Sequence, residues 1–111
     1  CLSACELAVD WKADKIIAYS QDGFTAREVA KHRAFVPIIV VTPNKSLVQE
    51  LALLWGTNRS LYKNFTQQEK KGNFANTLVN YLLKIKEIKK GERVVVVFNA
   101  KGRGSVASLT I

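Results

Sequence analysis

The chain predicts an α/β fold: a three-layer α-β-α sandwich around a five-stranded mixed sheet, mostly parallel, with the last strand antiparallel. Three observations carry this. Short apolar runs bounded by turn residues alternate with amphipathic helical stretches. The clearest run, RVVVVF at 93–98, is β-branched at consecutive positions, so it belongs in the middle of a sheet covered on both faces. The final two runs are separated only by NAKGRGS (99–105), with no room for a crossover helix, so they pair as a hairpin.

The elements follow in order. Leu2, Cys5, Leu7, Ala8, Val9 and Trp11 form an apolar stripe, read as a first helix. KIIAY (15–19) reads as a buried strand, and SQDGF as the turn after it. Thr25-Ala-Arg-Glu28 has the form of a capping box, which starts a helix running to about His32. PIIVV (37–41) is a second buried strand. Ser46-Leu-Val-Gln49 is a second capping signal, leading a helix through Leu51, Leu54 and Trp55 that Gly56 stops. Residues 59–63 are a weaker strand. Thr66-Gln-Gln-Glu69 is a third capping box and opens the longest helix. On it Phe74, Leu78, Tyr81, Leu82, Ile85 and Ile88 share one face. KKGE (89–92) turns into the strand at 93–98, and VASLTI (106–111) is the last strand.

The 111 residues suffice for one compact domain. The 48% hydrophobic content supports a core, but no apolar run approaches the length of a membrane span. The start is not a signal peptide: it lacks a basic region and carries Glu6 and Asp10. There is no initiator Met, so the domain at 1–111 is expected to be excised from a longer chain. Cys1 and Cys5 read as small core residues at helical spacing, and nothing asks for an oxidising compartment, so a cytoplasmic location is expected.

The net charge of +8, from 17 basic and 9 acidic residues, suits anionic partners. A solvated basic surface accounts for it equally well. No stripe of aromatics and arginines of the single-strand-binding kind is present, and nucleic acid is an unlikely partner.

In such a fold, ligands bind beyond the carboxyl ends of the strands. Two loops sit there. In the first, Gly23 takes the turn, Ser20 and Thr25 offer hydroxyls, and the helix N-terminus attracts an anion. Asp22 opposes that anion, and Phe24 stands where a basic residue would help. An ordinary capped helix after a tight turn is the stronger reading from the residues alone. The second loop carries Lys101, Gly102, Arg103, Gly104 and Ser105: flexible backbone, two cations and a hydroxyl. A solvated hairpin loop explains it equally. His32, the only histidine, reads as a helix-end residue, and no paired carboxylates or activated cysteine stand out, so no catalytic residue is assigned.

SQDGFT (20–25), AKHRAFVPIIVVTPN (30–44), LALLWG (51–56) and IKKGERVVVVFNAKGRGSVASLTI (88–111) together resemble the carboxyl-terminal domain of pyruvate kinases. The resemblance covers nearly the whole chain and is poorest around 57–72. It implies the same five-stranded sheet. It also implies that catalysis, with Mg and K, belongs to a separate barrel domain. This domain would have no cofactor of its own and would act in assembly of a homo-oligomer. In many members a sugar phosphate such as fructose 1,6-bisphosphate binds the T-x-S-G-x-[ST] loop, and the final Gly-rich loop closes over it. Ser20, Gly23 and Thr25 match that motif; Asp22 replaces its serine and Phe24 its basic residue. The final loop keeps two glycines and Ser105 but lacks the family's proline and T-N pair. A stand-alone small-anion-binding protein of the same fold, and a nucleic-acid-binding module, are the alternative readings.

Overall fold

The computed structural model describes residues 12–21, 23–31, 36–53, 57–65, 73–100 and 103–111. The expected first helix, Asp22, His32 and the Thr66–Glu69 capping box lie outside the described residues.

The elements run β1 (Lys15–Tyr19), α1 (Phe24–Lys31), β2 (Ile38–Thr42), a 3-10 turn (Lys45–Leu47) continuing into α2 (Val48–Ala52), β3 (Thr57–Tyr62), α3 (Phe74–Lys84), β4 (Arg93–Ala100) and β5 (Arg103–Thr110). The strands form one sheet in the order β3-β2-β1-β4-β5. All neighbours are parallel except β4 and β5, which are antiparallel. β1 is therefore central: Ile16 pairs with Ile38 on one side and Val95 on the other.

Strand alternation sorts the core into two layers. Ile16, Ala18, Ile38, Val40, Val95 and Val97 face α1 and α2, where Ala26 and Leu51 meet them. Ile17, Tyr19, Ile39, Val41, Val94 and Val96 face α3, which contributes Phe74, Ala75, Leu78, Val79 and Leu82. This is why PIIVV and RVVVVF carry no polar alternation: both faces of each strand are removed from water. Each fully buried aliphatic side chain contributes roughly 1.5–3 kcal/mol of transfer free energy. The expected three-layer sandwich and antiparallel last strand are both present.

The helix ends differ from the capping signals in the sequence. At the start of the 3-10 turn the cap is Asn44, not Ser46. Asn44 Oδ1 accepts from both the Ser46 backbone N–H (3.1 Å) and the Ser46 hydroxyl (2.7 Å). Asn competes equally with Ser for a cap, and here it sits two residues closer to the strand end. α2 ends at Ala52, and Leu53 is 87% exposed. The longest described helix, α3, starts after Asn73. Asn73 has extended backbone (ψ 90) and caps α3, its side chain accepting from Asn76 N–H at 3.3 Å.

The end of α3 also differs. The helix stops at Lys84 in a Schellman turn: Glu87 N–H donates to Leu82 C=O (3.0 Å) and Lys86 N–H to Leu83 C=O (3.1 Å). Lys86 takes the left-handed position, φ 63, that glycine usually fills. The reversal turns Ile85 outward, 38% exposed, and brings Ile88 back into the core at 2%. Helical spacing placed both on one buried face.

Candidate anion-binding loop

β1 ends at Tyr19, level with Val41 of β2 and Phe98 of β4. β4 runs two residues further and returns through β5, with Asn99 opposite Gly104 and Ala100 opposite Arg103. The hairpin therefore overhangs the carboxyl end of β1. Ser105 pairs with Phe98, which pairs with Tyr19, so the two predicted loops share one pole. Two strand spacings, about 10 Å, separate β1 from β5. Ser20, Gly23 and Thr25 gather at one side of this pole, and Arg103, Gly104 and Ser105 at the other. Lys101 and Gly102 lie outside the described residues.

Ser20 extends β1: its backbone N–H donates to Val41 C=O at 2.9 Å. Continuing the alternation of Ile16 and Ala18, its side chain belongs to the face that carries α1. Ser20 is 1% exposed, and its hydroxyl makes no hydrogen bond. A buried hydroxyl in that state costs free energy that a ligand or water can recover.

Gly23, not Thr25, precedes the helix. Its φ is +90, and its carbonyl accepts the first helical bond, from Arg27 N–H at 3.0 Å. Thr25 is thus the second helical residue, and the cap falls two residues before the expected Thr25–Glu28 capping box. The reason is backbone: only glycine takes φ +90 cheaply, so the turn closes there and the helix starts at once. The N–H groups of Phe24, Thr25 and Ala26 come before that first helical bond and so have no partner within the helix.

The structure adds a cation that sequence reasoning missed. The Arg27 guanidinium folds back over the turn: a Cβ built on Gly23 would lie 2.7 Å from Arg27 Nη1 and 3.0 Å from Cζ. Arg27 Nη2 donates to Glu50 Oε1 of α2 at 2.6 Å. The available signal was directional. Helical side chains lean toward the N-terminus, so a long residue in the fourth helical position reaches its own cap.

On the opposite face Tyr19 stacks edge-on with Phe74 (4.9 Å) and Phe65 (5.9 Å), in a cluster extended by Tyr81 and Phe98. Lys63 Nζ lies 5.3 Å from the Tyr81 ring and 5.6 Å from Phe65. The Tyr19 hydroxyl is buried and closes no hydrogen bond. Burial pushes its pKa up from the ordinary phenol value of 10.0, and a smaller effect of the Gln21 side chain lowers it. With the folded value raised, this group's contribution to stability is fully present below about pH 10 and is lost as pH rises through the folded value. Tyr19→Phe should therefore flatten the alkaline limb of the stability profile. At pH 7 it should stabilise the fold by about 1 kcal/mol, because no hydroxyl is left unpartnered. Urea unfolding at pH 7 and pH 11 checks both; a loss of stability at pH 7 would contradict this account.

Among the described residues no three His, Cys, Asp or Glu side chains gather to hold a metal ion, and no helix is long and apolar enough to cross a membrane.

The comparisons with known proteins agree with this architecture. The family model described as pyruvate kinase, alpha/beta domain, matches residues 1–111. The pyruvate kinase of Clostridium acetobutylicum is 35% identical over 95 residues, covering 86% of this chain and 20% of that protein. That of Dictyostelium discoideum is 36% identical over 94 residues, covering 85% of this chain and 18% of its own length. The Corynebacterium glutamicum pyruvate kinase is 32% identical over 95 residues, with 86% and 19% covered. The chain thus spans about a fifth of the length of these relatives. A match over every residue, on a five-stranded sheet with one antiparallel edge, places the chain in the pyruvate kinase alpha/beta domain family.

Proposed function

We propose that this chain is a non-catalytic regulatory and oligomerisation domain of a pyruvate kinase, with a degenerate sugar-phosphate effector loop. The full-length enzyme would convert phosphoenolpyruvate and ADP to pyruvate and ATP in the cytoplasm, its Mg and K ions held in a catalytic domain outside these 111 residues. The partners of this domain would be other copies of the same subunit and a phosphorylated metabolite.

One observation supports the loop reading above the others. The Ser20 hydroxyl is buried without a partner at the strand end where the first-turn N–H groups of α1 begin. Anions favour such a helix start. Arg103, Gly104 and Ser105 lie at the same pole and would complete the site together with Lys101 and Gly102, which are outside the described residues.

The degeneracy rests on Asp22 and Phe24, which stand where the family has a serine and a basic residue. A carboxylate about 4 Å from a phosphate is opposed by about 4 kcal/mol at an effective dielectric of 20, before counter-charges act. Calorimetry should therefore find weak or no binding of fructose 1,6-bisphosphate to the wild-type protein. Asp22→Ser should tighten it at least tenfold. Micromolar affinity in the wild type, or no change on Asp22→Ser, would refute the reading of the loop.

A further inference from the structure

We infer that the Arg27–Glu50 pair is a latch on the anion loop: Glu50 holds the guanidinium that an arriving phosphate monoester takes over. The inference rests on the anion-binding role proposed for this loop, and it names the residues that regulate access to it.

Arg27 stands in the first turns of α1, where the helix dipole disfavours a cation. Such a residue needs an anion beside it. Glu50 supplies one from α2, 23 positions along the chain, at 2.6 Å. The guanidinium also lies against Gly23, at the turn through which a ligand reaches the first N–H groups of the helix. An anion entering there meets Arg27 first. The buried, unpartnered Ser20 hydroxyl is a second, independent sign of a missing acceptor or donor at the same strand end.

The pair is built to exchange. Both side chains are open to solvent, 43% and 58% exposed, so the attraction between them is weak and screened. Glu50 offers one negative charge. A phosphate monoester offers more charge and three acceptor oxygens, so it can use the guanidinium fork, the N–H groups and the Ser20 hydroxyl together. Glu50 is then released, and occupancy of the loop is reported to α2, which follows the neighbouring strand β2. In the unliganded protein the same carboxylate competes with the ligand and lowers its affinity.

The test is calorimetric titration of the full chain with fructose 1,6-bisphosphate on the Asp22→Ser background. Glu50→Gln should tighten binding about threefold to fivefold, the scale of an exposed ion pair. Arg27→Gln should weaken it about tenfold, and Arg27→Lys less, since it keeps the charge and loses the fork. With Arg27→Gln in place, Glu50→Gln should no longer tighten binding. Equal tightening with or without Arg27 would show Glu50 to be only a nearby like charge and would overturn the latch. Binding that needs Ser20 but ignores Arg27 and Glu50 would overturn it too, while leaving the anion loop standing. No binding in any variant would overturn both.

Discussion

Leu78→Ala should lower the unfolding free energy by about 3 kcal/mol, within the 2–5 kcal/mol usual for a buried leucine, whereas Ile85→Ala should change it by less than about 0.5 kcal/mol. Both residues sit on the apolar stripe of the same helical stretch, seven positions apart. Leu78 is fully buried between α3 and the sheet, in the layer with Ile17, Tyr19, Val94 and Val96. Truncating it removes apolar contacts and leaves a cavity in a close-packed layer. Ile85 follows the last helical residue and is 38% exposed. For a domain of this size, 3 kcal/mol corresponds to a fall in Tm of roughly 12 °C. Thermal and urea unfolding of the two variants check the contrast; similar losses would mean that α3 continues past Lys84.

Gly23→Ala is the second large effect expected, a loss of about 2 kcal/mol. Two costs contribute, and they separate by experiment. The backbone at φ +90 strains any residue with a Cβ, by about 1–2 kcal/mol. The new methyl would also meet Arg27 Nη1 at 2.7 Å. That atom ends a flexible side chain, so it can move, at the expense of an exposed ion pair worth up to about 1 kcal/mol. Adding Arg27→Ala should thus recover only the smaller share. A double variant as stable as the Arg27→Ala single variant would show that steric collision, not backbone strain, makes the glycine necessary. On the Asp22→Ser background, the anion affinity proposed for this loop should fall in Gly23→Ala as well, because the turn sets where the first N–H groups of α1 lie.

Much of the architecture was legible in the residues. PIIVV and RVVVVF are apolar on both faces, and only a strand covered on both sides tolerates that, so the layered sheet follows. The short loop at 99–105 admits only a hairpin, so the antiparallel edge follows too. The order of elements was legible as well, and it puts Ser20 and Gly23 at the same pole of the sheet as Arg103 to Ser105. Where the helices begin and end was not. Thr25-x-x-Glu28 and Ser46-x-x-Gln49 both have the form of a capping box, yet Gly23 and Asn44 take the caps. A cap is decided by which backbone turns first, and many side chains can satisfy the same orphan N–H groups. Helical spacing likewise extended α3 to Ile88 and missed the left-handed Lys86, since a residue without the glycine signal occupies the reversal.

The linear chain determined the layers, the strand pairing at the edge and which loops follow the carboxyl ends of the strands, because those depend on hydrophobic period and connection length. Only the tertiary structure decided that the Ser20 hydroxyl is sealed without a partner, that Tyr19 is buried in an aromatic cluster, and that Arg27 reaches over Gly23 to Glu50. Burial and charge pairing depend on which elements the fold brings side by side, and Arg27 and Glu50, 23 positions apart, are neighbours only because α1 and α2 pack on the same face of the sheet.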